Sequence, residues 1–466
     1  MFYDFSWDGI TYHQDAIVKL ANGWNPVKEN SNSPNGIWID YYQKGIEIIQ
    51  STVYACTNKI EAPKLINFLF IFTAFLLVYD GVQSFIKSTL SKLVFTFVTV
   101  FSPIVIGQMF TYYIDGLYYL LLISTISCII SLYKKNNFKY YILFITLSTL
   151  LCGIKFSTLP TYIILVTGFL TYILIKKKYK ILRPIITSGI IIVILTGITN
   201  INPLYTNYKE NKHIFHPILG EEKVDVITFL IPSIIKDKNR FVQMYYSLSS
   251  ESRNNFEDTP EEPYNFRQKI PFTISTMETQ RLFWFDIRFG GFGFLFSGIL
   301  SISLLIFILY PLFIYKKSQK QKEFIFGIYF ILALTLLSII INPVMWWARF
   351  VPQVWLIPIL GLLLIWQEKN LITNHLKYSI IILLLYNTFL QTENLLKYNW
   401  ISTQEIRKQI VELKKENKTY KIEVGPFTNI HLRLKENGIK YKEDTINSNF
   451  IYMAETWGVV KLKAEE

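Results

Sequence analysis

The sequence predicts an α-helical polytopic membrane protein, and three observations carry the prediction. About ten apolar stretches follow one another along the 466 residues. Short basic clusters fall in alternate gaps between those stretches. Hydrophobic residues make up 51% of the chain and aromatic ones 16%, with a mean hydropathy of +0.29, too apolar for an ordinary soluble domain.

Taken in order, the stretches run roughly from 64 to 83, 93 to 110, 117 to 133, 140 to 154, 158 to 175, 182 to 200, 291 to 315, 324 to 341, 353 to 366 and 378 to 391. Several are shorter than the ~20 residues a straight span needs, so their boundaries are soft. The basic gaps hold Lys87 and Lys92; Lys134, Lys135 and Lys139; Lys176, Lys177, Lys178, Lys180 and Arg183; Lys316, Lys317, Lys320 and Lys322; and Lys369 and Lys377. Positive charge is retained inside, which makes these gaps cytoplasmic and the others extracytoplasmic. The outer segments are then about 1 to 63, 111 to 116, 155 to 157, 201 to 290, 342 to 352 and 392 to 466. Both ends lie outside on this reading, yet the chain opens in Phe2, Tyr3 and Asp4 with no basic and apolar leader. A further helix is therefore expected upstream, giving eleven in a full-length form.

The net charge of +13 follows from the cytoplasmic clusters, which set topology and face anionic headgroups, so no nucleic-acid partner is expected. Cys56, Cys128 and Cys152 are odd in number and show neither a disulfide framework nor metal-ligand spacing. Five regions are expected. They are an outer first loop with juxtamembrane helices (1–63), a first transmembrane block (64–200), a large outer loop (201–290), a second transmembrane block (291–391) and a small extracytoplasmic α+β appendage (392–466). In the appendage, Ile406, Ile410, Val411 and Leu413 give Thr403 to Lys418 a helical pattern, while Tyr420 to Val424 and Phe450 to Ala454 read as strands. Gly-rich phosphate loops and HExxH or CxxC motifs are absent from the sequence.

The chemistry-bearing residues lie in the outer segments. Asp8 sits in Trp7-Asp8-Gly9-Ile10-Thr11-Tyr12-His13, just ahead of a short amphipathic helix over Asp15 to Asn22 that is expected on the membrane surface. It is either a helix cap or a reactive carboxylate. Asp115 occupies a tight turn after Thr111-Tyr112-Tyr113-Ile114, with the same two readings. Lys155, Arg288 and Arg349 are cations on the face where cations are disfavoured. Either they snorkel among interfacial aromatics such as Trp346 and Trp347, or they bind an anionic lipid headgroup. In the latter case Arg supplies a bidentate grip and Lys a point charge.

These residues resemble the GT-C class of integral membrane glycosyltransferases, among them bacterial aminoarabinose transferases and protein O-mannosyltransferases. In that class the first outer loop carries an Asp, an aromatic about four residues on, and a juxtamembrane helix ending near Gly-x-Trp-x-Pro. Asp8, Tyr12, Gly23, Trp24 and Pro26 fit in that order. Weaker likenesses are Tyr41-Tyr42-Gln43-Lys44-Gly45, Asn202-Pro203-Leu204-Tyr205-Thr206-Asn207, His216-Pro217 and Trp347-Ala348-Arg349-Phe350. The likeness is architectural over most of residues 1 to 390. It departs at Gly9, where many relatives have a second acid. No cofactor is implied; a divalent cation is compatible with the pattern without being required by it.

The resemblance implies transfer of a sugar from a polyprenyl-phosphate donor to a glycan, lipid or protein acceptor, at the outer face of a bacterial inner membrane. Asp8 is the expected base, with Asp115 as the second carboxylate, Arg349, Lys155 and Arg288 toward the donor phosphate, and Tyr12 and His13 toward substrate. A sugar hydroxyl needs a base to become a nucleophile. A phosphate leaving group needs cations to offset its charge and no acid. One base with a phosphate leaving group means single displacement with inversion. Two other functions remain open in the sequence: a transporter or flippase for a lipid-linked glycan, and an O-antigen polymerase or ligase. The first calls for broken helices or polar residues at mid-membrane. The second calls for Arg and His in a large outer loop without the Asp-bearing N-terminal helix.

Overall fold

The computed structural model describes residues 2–221, 223–225, 231–252, 267–281, 285–448 and 450–465. Among them, seven helices are long and apolar enough to cross a membrane: Ala62–Val82, Asp115–Lys135, Thr158–Ile175, Tyr179–Thr199, Phe296–Tyr315, Gln319–Ile341 and Leu371–Glu416. Three further apolar helices, Thr89–Val100, Phe138–Ile154 and Pro352–Ile365, are shorter. The chain is a multi-pass helical membrane protein with a small C-terminal sheet.

Local sequence explains where the elements differ from the expected stretches. The run from 93 to 110 divides because Pro103 opens a new helix, Pro103–Gln108, whose N-cap Ser102 accepts from the Val105 amide. The run from 291 to 315 begins only at Phe296, after the glycine-rich turn ending at Gly293. It tightens to a 3-10 helix over Tyr310–Lys316, where Pro311 falls in the first turn. The stretch from 378 to 391 is part of one 46-residue helix, Leu371–Glu416, because neither Gly nor Pro occurs in it. The helix expected separately at Thr403 to Lys418 belongs to this rod, which is ~69 Å long at the usual rise per residue.

The Asp115–Lys135 helix is the axis of the bundle, with 83% of its apolar window buried against 22% for Tyr179–Thr199. On the latter, Ile190, Val193, Ile194 and Ile198 are exposed, an apolar face suited to lipid. The two ends of the axial helix differ in chemistry. At its C-terminal end Lys135 pairs with Asp80 at 2.7 Å, and Ser131 and Tyr140 donate to the same carboxylate. At its N-terminal end, ~31 Å away, lies Asp115.

The C-terminal unit holds a sheet ordered β2-β1-β4-β3. Strand β1 (Thr419–Glu423) runs parallel to β2 (Lys440–Glu443), and β4 (Lys461–Ala464) is antiparallel to β1 and to β3 (Ile451–Tyr452). Ile406, Ile410 and Leu413 of the long helix pack beneath Tyr420, Ile422 and Leu462, whereas Val411 is exposed. Ile10 joins the same core. Fully buried Arg433 donates to the Asp4 carbonyl and lies 3.5 Å from Glu61, and the Trp457 indole donates to the Phe5 carbonyl. The segment carrying Asp8 is thus clamped between the bundle and the C-terminal unit.

Candidate functional site

Asp8 stands at the N-cap position of a single π-helical turn, Gly9–His13, which leads into the helix Gln14–Ala21. Its carboxylate makes no capping bond. It turns instead to Arg349, whose Nη1 lies 3.1 Å from Asp8 Oδ2. The tight entry into the π turn needs glycine at position 9, since a Cβ there would sit 2.2 Å from Asp4 Oδ2 and 2.4 Å from Ser6 Oγ. Asp4 itself is pinned by the Ser6 and Tyr112 amides, each at 2.8 Å. A side chain at position 9 would have to displace the Asp4 carboxylate and the Ser6 hydroxyl.

Arg349 projects from a 3-10 turn, Ala348–Phe350, which Asn342 ties by donating to the Phe350 carbonyl at 2.9 Å and accepting from Val344 at 2.9 Å. Its guanidinium carbon lies 4.8 to 5.0 Å from the ring centres of Trp347, Tyr113 and Phe350. Nη1 is shared between Asp8 and Asp286, the latter at 3.3 Å, and Nε is 3.9 Å from Asp115 Oδ2. Lys155 occupies the short break between the helices Phe138–Ile154 and Thr158–Ile175 and pairs with Asp115 Oδ1 at 2.5 Å. Gln108 donates to the other Asp115 oxygen at 3.2 Å. The Asp115 side chain therefore serves this network and not the cap of its own helix, whose N-cap residue is Ile114.

Three carboxylates thus surround one guanidinium, with one ammonium alongside. Burial pushes the Asp286 carboxyl up to about 7 despite Arg349. Burial lowers Lys155 from its ordinary value, partly offset by Asp115. Burial also disfavours charge on Arg349, but Asp286, Asp8 and Asp115 outweigh it and hold the guanidinium protonated. With the proton on Asp286 the five groups sum to zero charge, as a buried cluster requires. Asp8 is the carboxylate most open to a substrate, its side chain 16% exposed against 7% for Asp115 and 4% for Asp286.

Burial and the nearby Asp8 charge raise the ionisation of the Tyr12 phenol well above the ordinary value. Arg288 stacks over Trp347 at 5.2 Å, beside Arg349. His13 turns elsewhere, to Glu47 at 2.6 Å in the contact between the helices Gln14–Ala21 and Gly45–Thr57. Asp286 escaped the sequence reading, although it stands two residues before the cation chosen there. Its signal in the sequence is an acid that follows the aromatic run Phe283-Trp284-Phe285 in an outer segment. Its loop is pinned by Gly290, whose amide donates to the Ser247 carbonyl at 2.9 Å. Gly290 has φ +57° and meets Ser252 so closely that a Cβ would fall 2.8 Å from its Cα. Among the described residues no three His, Cys, Asp or Glu side chains are arranged to hold a metal ion.

The arrangement offers a carboxylate for proton transfer and, within a few ångströms, cations for an anion. No protein-family model matches the chain, and a search of curated proteins found no match.

Proposed function

We propose that this protein is a membrane glycosyltransferase of the GT-C type. It moves a sugar from a polyprenyl-phosphate donor to an acceptor hydroxyl, with inversion, at the extracytoplasmic face of a bacterial inner membrane. The observation that carries the reading is the 3.1 Å contact between Asp8, in the first loop, and Arg349, 341 residues later. It sets a proton acceptor beside a phosphate-binding cation.

In the reaction Asp8 takes the acceptor hydroxyl proton as that oxygen bonds to the anomeric carbon. The bond from that carbon to the phosphate oxygen breaks, and its electron pair leaves on the phosphate. Arg349 and Lys155 offset the charge that develops there. Donor phosphate competes with Asp8 for the Arg349 fork, so donor binding releases the Asp8 carboxylate toward the acceptor. Asp286 keeps hold of the guanidinium meanwhile.

Membranes containing the protein, supplied with a series of labelled polyprenyl-phosphate sugars, should move label from one donor into a glycan, lipid or protein fraction. Failure with every donor in the series contradicts the proposal.

A further inference from the structure

Beside Asp8 lies a run of aromatic rings that proton transfer and phosphate binding do not use. Tyr12, within reach of the Asp8 charge, has its ring centre 6.3 Å from that of Trp38, which is 5.3 Å from Tyr42. Tyr42 in turn lies 5.7 Å from Phe156, the residue after Lys155. Trp38 belongs to the short helix Gly36–Asp40, whose Asp40 carboxylate accepts from the Ser31 amide at 2.8 Å. Buried Lys44 donates to the Asp40 and Tyr42 carbonyls and to Asn202. The ring wall is therefore fixed from behind.

Tyr12, Trp38 and Tyr42 are each half-buried. The Trp38 indole N–H and the Tyr42 hydroxyl have no hydrogen-bond partner among the described residues, although the Asp8 charge reaches the Tyr42 phenol. Ring faces edged with unused donors suit a ligand that is apolar on one face and hydroxylated at its rim. An acyl chain or an aliphatic side chain would cover the rings and leave the donors unsatisfied. A pyranose stacks its C–H face on the rings and takes the donors at its edge.

We propose, on the glycosyltransferase reading above, that the acceptor is itself a carbohydrate, its sugar ring seated on Trp38 and Tyr42 with a hydroxyl toward Asp8. The Asp8 charge reaches both Tyr12 and Tyr42, which sets this wall beside the base and assigns it to the acceptor. The donor sugar is the competing source of a pyranose.

The test uses the full chain in lipid nanodiscs, free of sugar detergents, with a panel of methyl glycosides as probes and saturation-transfer NMR as readout. At least one glycoside should receive saturation at its axial C–H protons. Trp38→Ala should weaken its binding about ten-fold or more, and Trp38→Phe should restore most of it, with unchanged melting temperatures identifying folded protein. Binding of polyprenyl-phosphate sugars, measured on the same samples, should be the same for wild type and Trp38→Ala. No saturation of any glycoside, or equal saturation with Trp38→Ala, overturns the subsite. Weakened donor binding in Trp38→Ala moves the rings to the donor sugar and overturns the acceptor assignment. Glycoside binding on Trp38 in a protein that transfers no sugar removes the glycosyltransferase reading instead. Transfer that is indifferent to Trp38 removes only this inference.

Discussion

Arg349 Nη1 lies within 3.3 Å of both Asp8 Oδ2 and Asp286 Oδ2, so a single nitrogen bridges two carboxyl groups from distant segments. Removing the guanidinium leaves buried negative charge without a partner, an effect on the order of 3 to 5 kcal/mol. Arg349→Ala should therefore lower both the yield of folded protein and its activity. Arg349→Lys keeps the charge but not the planar fork, and should keep the fold while losing activity per folded molecule. Activity normalised to folded protein measures this. Equal specific activity in wild type, Lys and Ala would remove Arg349 from the phosphate role.

Asp286 makes stability depend on pH in a defined direction. Its carboxyl is raised from 3.8 to about 7, chiefly by burial, so the folded protein holds a proton that the unfolded chain releases. The associated stability is fully present below pH ~4 and is lost as the pH rises through about 7. Melting temperatures in detergent should fall across that window, and Asp286→Asn should flatten the fall. An identical slope in wild type and variant would return the titration to other groups.

Gly9→Ala tests why position 9 carries no side chain. The added methyl meets an Asp4 carboxylate fixed by two amides, so relief requires breaking one of them. A loss of about 1 to 3 kcal/mol is expected, as for overpacked cores. Thermal unfolding gives the measurement, and an unchanged melting temperature would show that the Asp4 loop yields.

The basic clusters predict an orientation that native chemistry can test. Cys56 is the exposed thiol, while Cys128 and Cys152 are buried. A membrane-impermeant maleimide should label Cys56 from outside intact cells. A cysteine at Lys320, in a Cys56→Ser background, should react only after the membrane is opened. Labelling at Lys320 from outside would reverse the proposed sidedness.

The helical membrane character was legible because apolar runs of sufficient length have few alternatives. The helix Thr158–Ile175 falls where the run from 158 to 175 predicted it. Ends were less legible where capping and proline act locally, as at Ser102-Pro103, or where nothing halts a helix, as beyond residue 391. Asp8, Asp115, Lys155 and Arg349 stood out as charges in apolar surroundings, and the structure brings them together. Their mutual pairing was not legible, since it joins segments up to 341 residues apart. Asp286 was missed for the same reason: nothing near it in sequence tells which cation it faces. The clamp of Arg433 on Asp4 and Glu61 is another long-range contact that leaves no local pattern.

The most direct test of the central claim compares wild type with Asp8→Asn in proteoliposomes, reading transfer from the labelled polyprenyl-phosphate sugar that wild type uses. Asparagine keeps the size and a hydrogen bond to Arg349's neighbourhood but cannot take a proton. Transfer should fall by ~10²-fold or more with donor affinity little changed. Near-normal transfer by Asp8→Asn, or no transfer by wild type from any donor, would contradict the account.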